Sequence, residues 1–218
     1  MELSLTTVDR LLRSPTPSVS GRVALGFAVV LGLVHGAAVG TYTGVWAGEP
    51  IQLVYSAVKL PMLLIVTFAI ALPSFFVLNV LAGVGDDFRQ ALRNLLAAQA
   101  VICVTLVSLA PALILWYAGN ADYAPAVLAN AAIFLAAALV GQWVLRRWYR
   151  PLEQRVPIHR LLRRVWLVLY AFVGMQMGYV LRPFIGSPGK APTFFREEAW
   201  GNAYLVIVRL VGESLGLG

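Results

Sequence analysis

Charge is the first thing this sequence is short of. Only 12% of its 218 residues are charged, against 60% that are hydrophobic, where a soluble domain averages about 25% and about 45–50%. The apolar residues come in long blocks, not in alternating faces. That excludes a water-solvated globular core and makes lipid the expected solvent. Cysteine is nearly absent. Cys103 stands alone inside an apolar run, which excludes an intramolecular disulfide and any multi-cysteine metal site. It reads as a small buried hydrophobe. The two histidines, His35 and His159, lack the spacing of a metal pair. No HExxH, GxSxG, P-loop, dinucleotide fingerprint or CxxCH is present, so no catalytic residue, metal or cofactor is expected. The long apolar blocks contain no Asp or Glu, which counts against a proton relay or ion pump.

What is there is a series of five apolar blocks, at about 23–46, 51–81, 92–117, 124–145 and 165–181. A spanning helix takes about 20 apolar residues. The expected fold is all-α: an integral membrane helical bundle of about five transmembrane helices, with interfacial helices at both termini. One membrane domain covers 1–218. Residues 1–21 form a cytoplasmic amphipathic segment, with Leu5, Val8 and Leu12 roughly on one face. Residues 22–184 form the bundle. Residues 185–218 form an outer-face loop and an interfacial helix at 199–211, too short to cross. The first twenty residues hold Glu2, Asp9 and two prolines without an apolar core, so a cleavable signal peptide is not expected. Pro61, Pro73 and Pro111 fall inside the second and third blocks and are expected to kink or break those helices.

The net charge of +7 resides mainly in the connections. With five spans, twelve arginines fall on one side: Arg10, Arg13 and Arg22, then Arg89 and Arg93, then seven between 146 and 164. The other side has Arg182, Lys190, Arg196 and Arg209. The positive-inside rule places the N-terminus in the cytoplasm and the C-terminus outside, in a bacterial inner membrane. The basic stretch RRWYRPLEQRVPIHRLLRR at 146–164 reads as a loop whose Arg146, Arg147, Arg150, Arg163 and Arg164 contact anionic lipid; nucleic acid is not expected as a partner. Asp86 and Asp87 read as the turn and N-cap between the second and third helices.

Gly32, Gly36, Gly40, Gly44 and Gly48 recur at intervals of four. Small residues at that spacing let helix backbones approach closely, and Gly174 and Gly178 form a shorter second example. His35, Lys59, Asn130 and Gln176 put one polar side chain in each of four spans. Lys59 is the most costly to insert, about 2.5–3.5 kcal/mol if central. It is expected either to snorkel toward the outer surface or to join a polar cluster between helices. The segment 182–198 reads as an outer docking loop, with Arg182, Pro183, Phe184, Gly186, Ser187, Pro188, Phe194, Phe195 and, just beyond it, Trp200 as its candidate contacts.

Two stretches, VKLPMLLIVTFAIALPSFFVLNVLAG at 58–83 and AFVGMQMGYVLRPFIGSPGKAP at 171–192, resemble a family of uncharacterised bacterial multi-span proteins. The five-span layout with a cytoplasmic N-terminus is similar to that of Yip1-type membrane proteins. The first resemblance implies no activity. It singles out Lys59, Pro61, Pro73, Asn79, Arg182, Pro183, Gly186, Ser187 and Pro188 as positions to test. The sequence thus points to a non-enzymatic membrane subunit that packs against other membrane proteins or against itself. A transporter or channel component is the alternative.

Overall fold

The computed structural model describes residues 9, 13, 14, 16, 17, 19–45, 48–119, 122–182, 184–186 and 192–195. The expected N-terminal amphipathic helix, the 199–211 interfacial helix and the candidates Pro183, Ser187, Pro188 and Trp200 lie outside them. Among the described residues the protein is an all-α bundle of five long helices: α1 (Gly21–Gly44), α2 (Pro50–Leu81), α3 (Phe88–Gly119), α4 (Tyr123–Arg155) and α5 (Ile158–Val180).

The helix ends follow local sequence chemistry. The Ser20 hydroxyl accepts a hydrogen bond from the Val23 amide and caps α1. Pro50 opens α2, where its missing N–H costs nothing. At the end of α2, Gly83 adopts φ +73°. The Gly83 amide donates to the Val80 carbonyl, and the Val84 amide to that of Asn79. This paired arrangement satisfies carbonyls that a helix end otherwise leaves open, and the left-handed position is one that glycine fills without strain. The short 3₁₀ turn Gly85–Asp87 then leads into α3.

One sequence expectation is corrected here, the loop at 146–164, and the prolines are accommodated as neighbouring helices allow. The helices run unbroken through Pro61, Pro73, Pro111 and also Pro151, so the bundle has no discontinuous helix at those positions. A proline removes one donor, and packed neighbours allow the helix to continue past it. The stretch 146–164 is not a loop. α4 continues ten residues beyond the expected end of its apolar block, and α5 begins at Ile158. Only Val156 and Pro157 separate the two. Arginine and leucine are good helix formers, so loss of hydropathy at residue 146 ends the apolar stretch without ending the helix.

By length and apolarity, α1, α2, α4 and α3 with its preceding turn can cross a membrane. α5 falls short because Arg160, Arg163 and Arg164 occupy its first two turns. It nevertheless runs the height of the bundle. Near its start His159 meets Asp87 beside the α2–α3 turn. Just past its end Ile185 meets Thr43 at the far end of α1.

α1 sits between α2 and α3, α4 packs on α3, and α5 packs on α2. The α1–α2 seam is the tightest. A Cβ on Gly32 would lie 3.2 Å from Pro61 Cβ, and one on Gly40 2.6 Å from Leu53 Cα. One on Gly36 would collide with the Ser56 carbonyl oxygen and come within 2.8 Å of Ala57 Cα. One on Gly44 would lie 3.2 Å from Leu53 Cβ. The register is antiparallel, one glycine per turn against the descending face of α2. The α5 glycines differ: a Cβ on Gly174 would make ordinary contact with Thr67, and one on Gly178 would meet nothing. Gly141 of α4 faces the Ile102 side chain of α3.

At the end that carries the arginines, a core of large side chains joins all five helices. It includes Phe27, Phe75, Leu95, Trp148, Tyr149, Leu152 and Trp166. The Trp166 ring meets Phe68 and Phe75 edge to face, with centroids 5.2 and 5.0 Å away. At the opposite end Val39, Tyr42, Leu113, Tyr117, Ala126 and Ile185 form a smaller core.

The seam makes a direct prediction. Gly36→Ala places a methyl group against backbone that cannot rotate away, and should destabilise the protein by about 1–3 kcal/mol. Gly178→Ala faces open space and should change stability by about 0.5 kcal/mol or less. Thermal unfolding of the two variants in the same mild detergent checks the contrast.

Candidate functional site

Three groups of polar side chains stand out in the bundle, and sequence reasoning foresaw them unequally. The first lies at the far end of the α1–α2 seam. Gln52, Ser56 and Lys59 recur at i, i+4 and i+7 on α2, which puts them on one face, and all three are buried. The chain leaving α5 crosses that face. Gln52 Nε2 donates to the Phe184 carbonyl (3.1 Å), and Ser56 Oγ donates to the same oxygen. Thr43 Oγ1, from α1, donates to the Ile185 carbonyl at 2.7 Å. Gly186 then turns with φ +74° directly over Thr43 and Gln52, where a Cβ would overlap the Thr43 hydroxyl. This position needs glycine for both its backbone angle and its close approach.

Lys59 extends the same contact. Its side chain is fully buried, so the expected snorkelling to a free surface is corrected. The ammonium donates to the Thr193 carbonyl at 3.0 Å. It also lies 5.4 Å from the Phe194 ring centroid and 5.9 Å from that of Tyr55. The two rings pack edge to face. A carbonyl dipole and ring faces compensate part of the cost of burying this charge. The described residues of 182–195 are therefore partly consumed as an internal strap. Ile185 and Gly186 are buried, Phe184 and Phe194 are half-buried, and Arg182 and Phe195 stay exposed. Thr43, Gln52 and Ser56 were not singled out from sequence. The i, i+4, i+7 polar stripe of α2 was the available signal.

The second group is scattered along the bundle, from His35 within α1 to Asn79 near the end of α2. His35 is fully buried, with its ring edge toward Phe134 of α4 at 5.9 Å. Its ring makes at most a weak hydrogen bond, to the Leu106 backbone. The Thr67 hydroxyl and the side-chain carbonyls of Asn79 and Asn130 accept no hydrogen bond among the described residues. Asn79 donates to the Phe75 carbonyl one turn back, 2.8 Å away. Gln176 is half-buried on α5. The contacts described for Lys59 are those with the strap and with Tyr55. Tyr170 ties α5 to α3, its hydroxyl 3.1 Å from Gln99 Oε1.

The third group closes the opposite, basic end. Arg155, one residue before the α4–α5 turn, donates to Asp87 Oδ1 (2.8 Å) and to Gln90 (3.2 Å). Fully buried His159 reaches Asp87 Oδ2 at 3.0 Å. A carboxylate only accepts, so His159 Nε2 carries the proton. Hydrogen bonding from His159, helped by the Arg155 charge, holds the Asp87 carboxyl below the usual carboxylate range, although partial burial opposes this. Asp87 is thus the bolt between the α2–α3 turn and the α4–α5 turn. Trp148 Nε1 donates to the Ser14 carbonyl and Arg147 to that of Arg13, which holds the described part of the N-terminal segment against α4. Among the five arginines expected to contact lipid, Arg163 is instead half-buried and paired with Glu153 at 2.9 Å. Arg146, Arg150 and Arg164 stay exposed.

No family model, curated protein or solved structure matches the chain. The geometry carries the functional argument. Among the described residues no group of three or more His, Cys, Asp or Glu could hold a metal ion.

Two outcomes test these contacts. Gln52→Leu combined with Ser56→Ala removes both donors to Phe184 and should free the strap. Limited chymotrypsin should then cut after Phe184 several-fold faster than in the parent protein. Asp87→Asn leaves buried His159 with a poorer partner and should cost about 1–3 kcal/mol at neutral pH. Because the Asp87 pKa is lowered on folding, its stabilisation holds above the ordinary carboxylate range. It is lost as pH falls through the lowered value. The difference between parent and variant should therefore shrink in acid, as read by thermal unfolding across pH.

Proposed function

We propose that this protein is a non-enzymatic, multi-pass membrane subunit that packs against other membrane proteins. The observation that carries this reading is α4. In its most apolar stretch only 17% of residues are buried within the bundle. Its uncovered face presents Ala132 and Ala136 beside Leu128, Leu135 and Leu139. Lipid tails are as apolar as leucine, so hydrophobicity alone gives no drive to cover such a face. Small residues one turn apart do favour close approach by another helix. The glycine row of α1, which sequence alone left available to an outside partner, is occupied by α2.

Orientation belongs to the same proposal. Arg13, Arg155 and the other arginines of 146–164 gather at one end of the bundle through the Asp87 and Trp148 contacts. The positive-inside rule makes that end cytoplasmic. With α5 as a fifth crossing the C-terminal strap lies outside, in a bacterial inner membrane. The resemblance of 58–83 and 171–192 to bacterial multi-span proteins fits this placement, since Lys59 and Gly186, two of its marked positions, both serve the strap.

A transporter or channel component is the second reading, favoured by fully buried His35, whose ring has at most a weak hydrogen bond to the Leu106 backbone. Unbroken helices count against it, since transporter sites are typically built from discontinuous ones.

The test is substitution of the α4 face. Ala132→Leu with Ala136→Leu should leave thermal stability within about 0.5 kcal/mol of the parent, yet abolish a co-purifying partner or a self-associated species from mild detergent. If the parent protein runs as a bare monomer with nothing co-purifying, the subunit reading fails. A ligand-dependent thermal shift lost on His35→Leu would favour the transporter reading.

A further inference from the structure

At the basic end, the α4–α5 hairpin encloses an open cleft of about 650 Å³, lined by Arg146, Arg150, Glu153, Gln154, Arg160, Arg163 and Arg164. Five arginines face one glutamate, so the lining carries a formal excess of four positive charges. Glu153 is committed to Arg163 (2.9 Å) and Arg160 (3.5 Å). Arg146, Arg150 and Arg164 have no carboxylate partner among the described residues. The hairpin holds these like charges together because Asp87 fixes Arg155 and His159 at its turn. Like-charged guanidinium groups held around one space cost free energy unless an anion fills it.

A second observation identifies which anion. Leu139, Trp143, Arg146 and Arg150 follow one another at steps of four, three and four, a single stripe along α4. On α5 the same holds for Arg160, Arg164 and Val168. Leu139, Trp143 and Val168 are more than 60% exposed. Each arginine row therefore runs straight into uncovered apolar surface one to two turns deeper in the bundle, with an exposed tryptophan between the two zones. A soluble anion would leave that apolar surface bare. A phospholipid would cover it with acyl chains while its phosphates sit among the guanidiniums.

We propose that the α4–α5 cleft is a binding site for the headgroup of an acidic phospholipid, with Arg146, Arg150 and Arg164 as its phosphate ligands. Arginine suits this role because its planar fork pairs two donors with one phosphate. The space and the charge excess favour a headgroup with two phosphates over one with a single phosphate. Glu153 is a positioning residue that holds Arg160 and Arg163 against the wall. The inference rests on the membrane character of the bundle and shares only Leu139 with the α4 face proposed to dock a protein.

The experiment uses the full chain, delipidated in mild detergent and titrated separately with diphosphatidylglycerol, phosphatidylglycerol, phosphatidylcholine and inorganic phosphate. Binding is read by native mass spectrometry and thermal shift. Diphosphatidylglycerol should bind saturably and raise the unfolding temperature most, and phosphatidylcholine should do neither. Arg150→Gln and Arg164→Gln should each weaken binding about fivefold, and the double variant at least tenfold. Arg89→Gln with Arg93→Gln removes the same charge from exposed positions at the same end, outside the cleft, and should leave binding unchanged. An equal loss in both double variants would mean diffuse attraction and would overturn the site. Inorganic phosphate binding as tightly as the lipid, or no preference over phosphatidylcholine, would overturn the lipid assignment. If the cleft double variant is unstable, the two single variants give the same answer.

Discussion

Everything in the far half of the bundle depends on how closely α1 approaches α2. Where Gly36 and Gly40 face Ser56, Ala57 and Leu53, the two backbones meet with no side chain between them. In lipid that proximity is the source of stability, because dispersion contacts and weak Cα–H···O bonds replace the hydrophobic drive. It also places Thr43 of one helix beside Gln52 and Ser56 of the other. The strap after α5 needs hydroxyl and amide donors from both helices at once. A wider seam would separate them and leave the Phe184 and Ile185 carbonyls without partners at the edge of the membrane, where unsatisfied backbone is costly.

The opposite end works by charge where the far end works by shape. Asp87 is a single carboxylate that receives both Arg155 and His159. It joins two turns that are distant in sequence, and so sets the angle at which α5 leaves α4. That angle turns a run of arginines into two facing rows. The large aromatic core around Trp148 and Trp166 lies directly beneath and gives the rows a rigid floor. Bolt, floor and rows together convert a sequence that reads as a generic basic stretch into a shaped cleft.

The glycine spacing, the polar residues inside apolar blocks and the arginine asymmetry were all legible from residue order. Their partners were not. Gly32 to Gly44 announce a close approach, but either α2 or an outside helix satisfies the spacing equally well. Lys59 announces an expensive buried charge, but its compensation comes from Thr193, 134 positions away. Span boundaries were legible only where hydropathy and helix end coincide. At residue 146 the apolar block stops and the helix does not, since arginine is a good helix former. The prolines did not end helices in sequence or in structure, because a missing N–H inside a packed bundle is a local cost, not a stop.

By itself the sequence determined the apolar, all-α character of the chain and where its charges fall along it, because hydropathy over some twenty residues and helix propensity are local sums. Only the tertiary structure decided which surfaces are spent and which are left over. Packing spent the α1 glycine row, and Ile185 and Gly186 of the strap, inside the chain. It left an alanine-bearing face on α4 and an arginine cleft at the α4–α5 hairpin. The physical reason is that close packing and ion pairing are exclusive: a backbone face in contact with one helix, or a carboxylate shared by one arginine and one histidine, is no longer available to any other partner.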